Sequence, residues 1–108
     1  MTARNKLLTQ PPGPVTESLK RLGADLRTAR LRRNLTIEDV AIRIGTGHRA
    51  VADAERGKAS TSAAVYTAML WTLDLLDHLG EVARPDRDSE GQSLTLARDR
   101  ERARARPA

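Results

Sequence analysis

The side chains best suited to chemistry in this chain of 108 residues stand close together and are mostly cationic: His48, Arg49, Arg56 and Lys58, with Thr46 and Ser60 beside them. Arginine presents a planar fork that meets a phosphate or a guanine edge with paired hydrogen bonds, while lysine supplies a point charge. The chemistry they suggest is recognition of a polyanion rather than bond making. Cysteine is absent, which excludes disulfide frameworks, thiolate metal sites and cysteine nucleophiles. His48 and His78 are the only histidines and have no ligand cluster near them in sequence, so neither a metal site nor a histidine-based catalytic dyad is expected. No cofactor and no enzymatic activity are expected.

The whole chain leans the same way. Lys plus Arg number 19 against 14 Asp plus Glu, a net charge of +5, and all but three of the cations are arginine. Such a balance fits nucleic acid, although acidic proteins and anionic membranes satisfy it too. No run approaches the ~20 apolar residues of a membrane span and the amino end lacks a signal-peptide core, so a soluble, cytoplasmic protein is expected.

The elements that must position these cations are two short amphipathic helices. Thr36 reads as the N-cap of the first, with Asp39 as its capping-box partner and Leu35 with Val40 as hydrophobic staple. Ile37, Val40, Ala41 and Ile44 form its buried stripe, and Gly45 stands where a left-handed C-terminal residue is wanted. Thr46 or Gly47 begins the second helix, in which Val51 and Ala54 point inward and His48, Arg49, Ala52, Asp53 and Arg56 are left outside, with Gly57 closing it. This is the layout of a helix-turn-helix, whose second helix projects as a rod that fits a DNA major groove. Ala50 and Ala52 read little beyond a thymine methyl, and Asp53 repels phosphate unless it accepts from a cytosine amine or pairs with Arg49 or Arg56.

Before this pair, Gln10-Pro-Pro-Gly-Pro14 excludes a helix and marks residues 1–14 as a flexible or extended arm. A helix with Thr16 as N-cap then carries Leu19, Leu22, Leu26 and Ala29 on one stripe, and its other faces hold cations that include Arg32 and Arg33. Beyond a cap within Ser60-Thr61-Ser62, the segment Met69 to Leu79 holds seven apolar residues of eleven. One stripe cannot absorb them all, and a homodimer seam of Leu70, Trp71, Leu73, Leu76 and Leu79 would. A break near Asp74 into two helices, each with its own inward face, explains the pattern as well. Domain boundaries are expected at 15–83, followed by a polar, arginine-rich extension over 84–108. Arginines at 98, 100, 102, 104 and 106 share one side of an extended chain but scatter round a helix. Such a tail is expected to be disordered in isolation, serving either DNA or an acidic partner.

The order of Thr36, Ala41, Gly45, Val51, Glu55 and Gly57 resembles the lambda-repressor-like, or Xre-type, helix-turn-helix family over about residues 19–80. The resemblance implies an all-α, compact five-helix domain that binds double-stranded operator DNA as a two-fold dimer. Matched by position, His48 and Arg49 fall at base-reading places, Thr36 where a phosphate is held, and Lys58 with Ser60 in a loop pressed against phosphates. The implied DNA-binding set is Thr36, Thr46, Gly47, His48, Arg49, Ala52, Asp53, Arg56, Lys58 and Ser60, with Arg32 and Arg33. Glu55 resembles the acidic residue of a Glu-Arg-Gly signature, implying a structural pairing with an arginine of the preceding long helix, here Arg30.

The Leu7-Leu-Thr-Gln-Pro-Pro12 arm, the run Leu22 to Val40 and Pro85-Asp-Arg-Asp-Ser-Glu-Gly91 resemble HipB-like antitoxins. That resemblance implies a transcriptional repressor of its own operon, paired with a HipA-type serine/threonine kinase toxin. The competing expectation is a protein-interaction module that binds and inhibits a partner, with weak or no specific DNA recognition.

Overall fold

A computed structural model describes residues 5–106, which contain helices and no strand. Among the described residues there are six α-helices and two 3-10 segments, of which four α-helices and one 3-10 segment lie over the stretch expected as the domain. The chain divides into two compact units, the first ending at Leu76 and the second starting at Asp77.

The first unit contains α1 (Lys6–Thr9), a single turn where a flexible or extended arm was expected, capped by the Asn5 side chain accepting from the Leu7 N–H. Helix α2 (Gly13–Arg32) begins three residues before the expected cap at Thr16, with Pro12 as N-cap and Pro14 in its first turn. The prolines that were read as helix breakers initiate it, because first-turn N–H groups have no intrahelical acceptor and a fixed φ suits that position. After α2 the chain reverses through Asn34, whose φ of 55° is left-handed, a conformation asparagine tolerates better than most residues.

Helix α3 (Ile37–Ile44) starts on the reciprocal Thr36/Asp39 capping box and ends at Gly45 with φ 77°. Helix α4 (His48–Glu55) follows after Thr46 and Gly47. Helix α5 (Ala63–Thr72) is capped by Ser62. Leu26, Ala29, Val40, Ala41, Val51, Ala54, Tyr66, Met69 and Leu73 form the core, with Leu19, Leu22, Leu35, Ile37, Ile44, Val65, Leu70 and Leu75 packed around it. Helix α4 lies against α2, α3 and α5, so three neighbours fix its roll and tilt.

The junction of α2 with α4 requires glycine on both sides. A Cβ at Gly23 would stand 2.5 Å from the Ala54 carbonyl oxygen, and one at Gly57 2.5 Å from the Leu19 carbonyl oxygen. Gly57 also has φ 72°. Residues 19 and 23 are one turn apart on α2, so two backbone contacts a turn apart hold the end of α4 on it.

The break at Asp74 is the alternative that the structure takes. Asp74 has φ 61°, and a 3-10 segment spans Leu76–Glu81. Leu73, expected in a dimer seam, is fully buried in the core of its own unit, on the stripe it shares with Tyr66 and Met69 at i, i+3 and i+7. Leu70 is half-buried against that core and Leu76 half-buried, whereas Trp71 is 61% exposed. Leu79 is exposed and belongs to the second unit.

The second unit contains a 3-10 segment at Pro85–Arg87 and α6 (Ser89–Ala105), capped by the Asp88 carboxylate accepting from the Gly91 N–H at 2.9 Å. Gln92 Nε2 donates to the Pro85 carbonyl at 3.0 Å, tying the helix to the segment before it. The tail expected as disordered is thus helical as far as Ala105, and Arg98, Arg100, Arg102 and Arg104 are distributed round it. Asp99 and Glu101 fall three positions from Arg102, Arg98 and Arg104, a spacing that favours a helix, and Ala97, Ala103 and Ala105 have high helix propensity. No residue of α6 is buried.

Candidate nucleic-acid interface

The interface is built on α4. Val51 and Ala54 are both 0% exposed, and on a helix of 3.6 residues per turn their burial turns the opposite face outward. His48 and Arg49 are exposed at its head, Ala50 and Ala52 half-buried. Gly47 is the N-cap and offers no side chain to the first turn, so the first N–H groups of α4 have no side-chain acceptor. Thr46 is half-buried and Gly47 exposed.

The far end of α4 is held by a buried ion pair. Arg30 Nε donates to Glu55 Oε2 at 2.6 Å and Arg30 Nη2 to Glu55 Oε1 at 2.9 Å, while Arg30 Nη1 donates to the Leu35 carbonyl at 2.8 Å. The two side chains are 8% and 5% exposed. The hydrogen bonds to Glu55, and its negative charge, raise the Arg30 pKa above the ordinary guanidinium value. One guanidinium therefore joins α2, the last residue of α4 and the chain entering α3. This is the partner for Glu55 that the family resemblance implied.

Asp53 lies in the last turn of α4. Its Oδ1 accepts from Arg56 Nη2 at 2.7 Å and its Oδ2 lies 3.5 Å from Lys58 Nζ. Of the two partners foreseen for it, Arg56 is taken, and Lys58 joins as one that was not foreseen. These contacts, first the hydrogen bond from Arg56 and then the Lys58 charge, hold the Asp53 carboxyl below the usual carboxylate range. Arg49 forms no ion pair among the described residues. The loop carrying Lys58 and Ser60 is braced from below, because the Tyr66 hydroxyl donates to the Lys58 carbonyl at 3.1 Å and the Lys58 N–H donates to the Asp53 carbonyl at 3.1 Å. Burial raises the Tyr66 pKa.

Thr36 is exposed and caps α3: its hydroxyl accepts from the Asp39 N–H at 3.0 Å, and the Asp39 carboxylate accepts from the Thr36 N–H at 2.8 Å. The Thr36 N–H holds the Asp39 carboxyl below its ordinary range. One open groove brings Thr36, Glu38 and His48 together with Asn34. Arg32 and Arg33 are exposed at the end of α2, where Arg33 Nη1 turns back to donate to the Ala29 carbonyl at 2.9 Å.

The expected residues thus fall into two groups, Thr36 with His48 at the head of α4, and Asp53, Arg56 and Lys58 at its end. Ser60 lines a second groove with Lys58, Asn5, Leu8 and Thr9, so α1 lies beside the loop that follows α4. Sequence reasoning missed α1 at this place and Tyr66 as the brace. The second had a readable signal, since a buried tyrosine seeks a partner for its hydroxyl.

Among the described residues no group of three or more His, Cys, Asp and Glu could hold a metal ion, and no helix is long and apolar enough to cross a membrane. No curated protein and no solved structure matches the chain. A family profile described as a helix-turn-helix domain matches residues 21–85, a span that holds α3, α4, α5 and the Arg30–Glu55 pair. The chain belongs to this helix-turn-helix domain family, a DNA-binding architecture.

Proposed function

We propose that this protein is a sequence-specific DNA-binding transcriptional repressor in which α4 enters the major groove of an operator. The observation that carries the reading is the placement of α4. Helices α2, α3 and α5 clamp it, its inward residues are fully buried, and His48 and Arg49 stand exposed at its head. In this reading Arg49 and His48 read base edges, with Thr46, Gly47 and Ala52 beside them, while Asp53 bears on the DNA through its contacts with Arg56 and Lys58. Thr36, Arg56, Lys58, Ser60, Arg32 and Arg33 hold or approach the phosphates on either side. The Thr36 hydroxyl accepts within the cap, which leaves its own proton for a phosphate oxygen.

Binding as a two-fold dimer accounts for the 61% exposure of Trp71 on α5, since a large aromatic left in water favours burial at an interface. The sequence resemblance to HipB-like proteins supports a narrower reading, in which the repressor is the antitoxin of a HipA-type serine/threonine kinase, represses its own operon and works in the cytoplasm. The same exposed Trp71 favours, as a second reading, a protein-interaction module with little DNA specificity.

Fluorescence anisotropy on a duplex from the protein's own upstream region and on a shuffled control, at two salt concentrations, separates these readings. A repressor prefers the upstream duplex and keeps the preference at higher salt. Arg49→Ala then costs about 1–3 kcal/mol on the upstream duplex and little on the control. Equal, salt-labile binding of both duplexes by the wild type overturns the reading and favours the interaction module.

A further inference from the structure

The arrangement at the end of α4 has the form of an occupied anion site. One carboxylate oxygen of Asp53 takes Arg56 at 2.7 Å and the other faces Lys58 at 3.5 Å, much as two oxygens of a phosphate would. The two cations and their anion differ in freedom. The Arg56 and Lys58 side chains are 72% and 57% exposed, whereas that of Asp53 is 15% exposed. Asp53 is fixed on α4, with its carbonyl accepting from the N–H groups of Arg56 at 3.2 Å and Lys58 at 3.1 Å. The Lys58 backbone is pinned by Tyr66. Only the outer parts of the Arg56 and Lys58 side chains can swing away.

We propose that Asp53 is an internal competitor for phosphate: it occupies Arg56 and Lys58 in the free protein and attenuates the sequence-independent part of DNA binding. The proposal rests on the DNA-binding reading above and adds a role to it. A phosphate that draws Arg56 or Lys58 outward has to replace the contact with Asp53. The carboxylate left behind then takes up a cation from solution. That uptake offsets one of the counterions released from the duplex, so it lowers both affinity and its salt dependence. An aspartate is ionised throughout the neutral range, and Arg56 and Lys58 hold the Asp53 carboxyl lower still in the free protein, so the attenuation persists across that range.

The test uses the full chain and a mixed-sequence duplex of about 25 base pairs, with anisotropy measured across a salt series. Asp53→Asn keeps the shape and removes the charge. It is expected to tighten binding roughly two- to fivefold, the range of an exposed ion pair, and to steepen the plot of log affinity against log salt by about one. On the upstream duplex the factor is expected to be the same. In an Arg56→Gln/Lys58→Gln background the same substitution is expected to have no effect, because the groups it competes for are gone. Asp53→Ser serves in both backgrounds if Asp53→Asn fails to melt cooperatively.

Unchanged affinity and slope overturn the proposal. So does weaker binding by Asp53→Asn, which would make Asp53 an orienting group. An equal gain in the Arg56→Gln/Lys58→Gln background reduces the effect to unspecific repulsion and overturns it as well. A wild type that binds no duplex even at low salt refutes the DNA-binding reading itself, and this proposal with it.

Discussion

Glu55→Ala strands the Arg30 guanidinium in the core. That side chain is 8% exposed and makes three hydrogen bonds, two of them to the Glu55 carboxylate at 2.6 and 2.9 Å and one to the Leu35 carbonyl. The substitution removes the first two and leaves a buried cation with a single acceptor. Breaking a buried ion pair on one side costs about 3–5 kcal/mol, consistent with two charge-assisted hydrogen bonds at roughly 1.5–3 kcal/mol each. A unit that ends at Leu76 is stable by about 4–11 kcal/mol at ordinary values per residue, so the loss is a large fraction of the total. The expected fall in Tm is about 12 °C or more. Urea and thermal melts of Glu55→Ala, and of Arg30→Met, Glu55→Met and the Arg30→Met/Glu55→Met double variant, measure it. Two methionines need no partners, so the double variant is expected to recover most of the loss, with a coupling of about 2 kcal/mol or more. A single-variant cost under about 1 kcal/mol, the range of an exposed pair, refutes the reasoning. A double-variant cost equal to the sum of the singles does the same.

Gly23→Ala gains helix propensity in α2 but brings a Cβ to 2.5 Å from the Ala54 carbonyl oxygen. Backbone cannot turn aside as a side chain can, so α2 and α4 must separate, and a net loss of about 1–3 kcal/mol is expected in urea melts. A stabilised Gly23→Ala protein would show that the two helices do not meet as described. The capping box makes a contribution that depends on pH. The Thr36 N–H depresses the folded-state pKa of Asp39, so the stabilisation is complete above the unfolded pKa of about 3.9 and is lost as pH falls through the lower folded value. Wild type and Asp39→Asn are expected to differ in urea midpoint by a constant amount from pH 7 to about pH 5, and to converge towards pH 3 and below. A gap as wide at pH 2 as at pH 7 would mean that the carboxylate charge contributes nothing.

How much could be read without coordinates differs from element to element. The start of α3 was legible because Thr36 and Asp39 satisfy each other within four residues of chain, and no distant part of the protein is needed to complete the motif. Gly45 and Gly57 were legible for the same reason, since helix ends that turn left-handed favour glycine. The two inward residues of α4 followed from periodicity, and with them the exposure of His48, Arg49 and Arg56, whereas Ala52 and Asp53, expected outside, are half-buried. The Arg30–Glu55 pair was reached only through family resemblance, because nothing local joins residues twenty-five positions apart.

Misreadings arose where two rules compete and only distant packing decides between them. Prolines can break a helix or begin one, and Pro12 and Pro14 begin α2. Alternating arginines can line an extended strand or decorate a helix, and the interleaved acids and alanines favour α6. Leu73 and Trp71 are both large apolar residues two positions apart and so on opposite sides of α5; the first shares the stripe of Tyr66 and Met69 and is fully buried, while the second is 61% exposed. Gly23 looks from sequence like a weakness in a helix; the backbone of α4 against it gives the reason. Sequence alone determined the two ends of α3, the glycine after α4 and the inward residues Val51 and Ala54, because caps, left-handed glycines and apolar period act over a few residues; α4 itself begins at His48 rather than at Thr46 or Gly47. Tertiary structure alone decided that Leu73 is core, that Asp53 holds Arg56 and Lys58 together, and that Tyr66 supports their loop, because these depend on which surfaces meet once the helices pack.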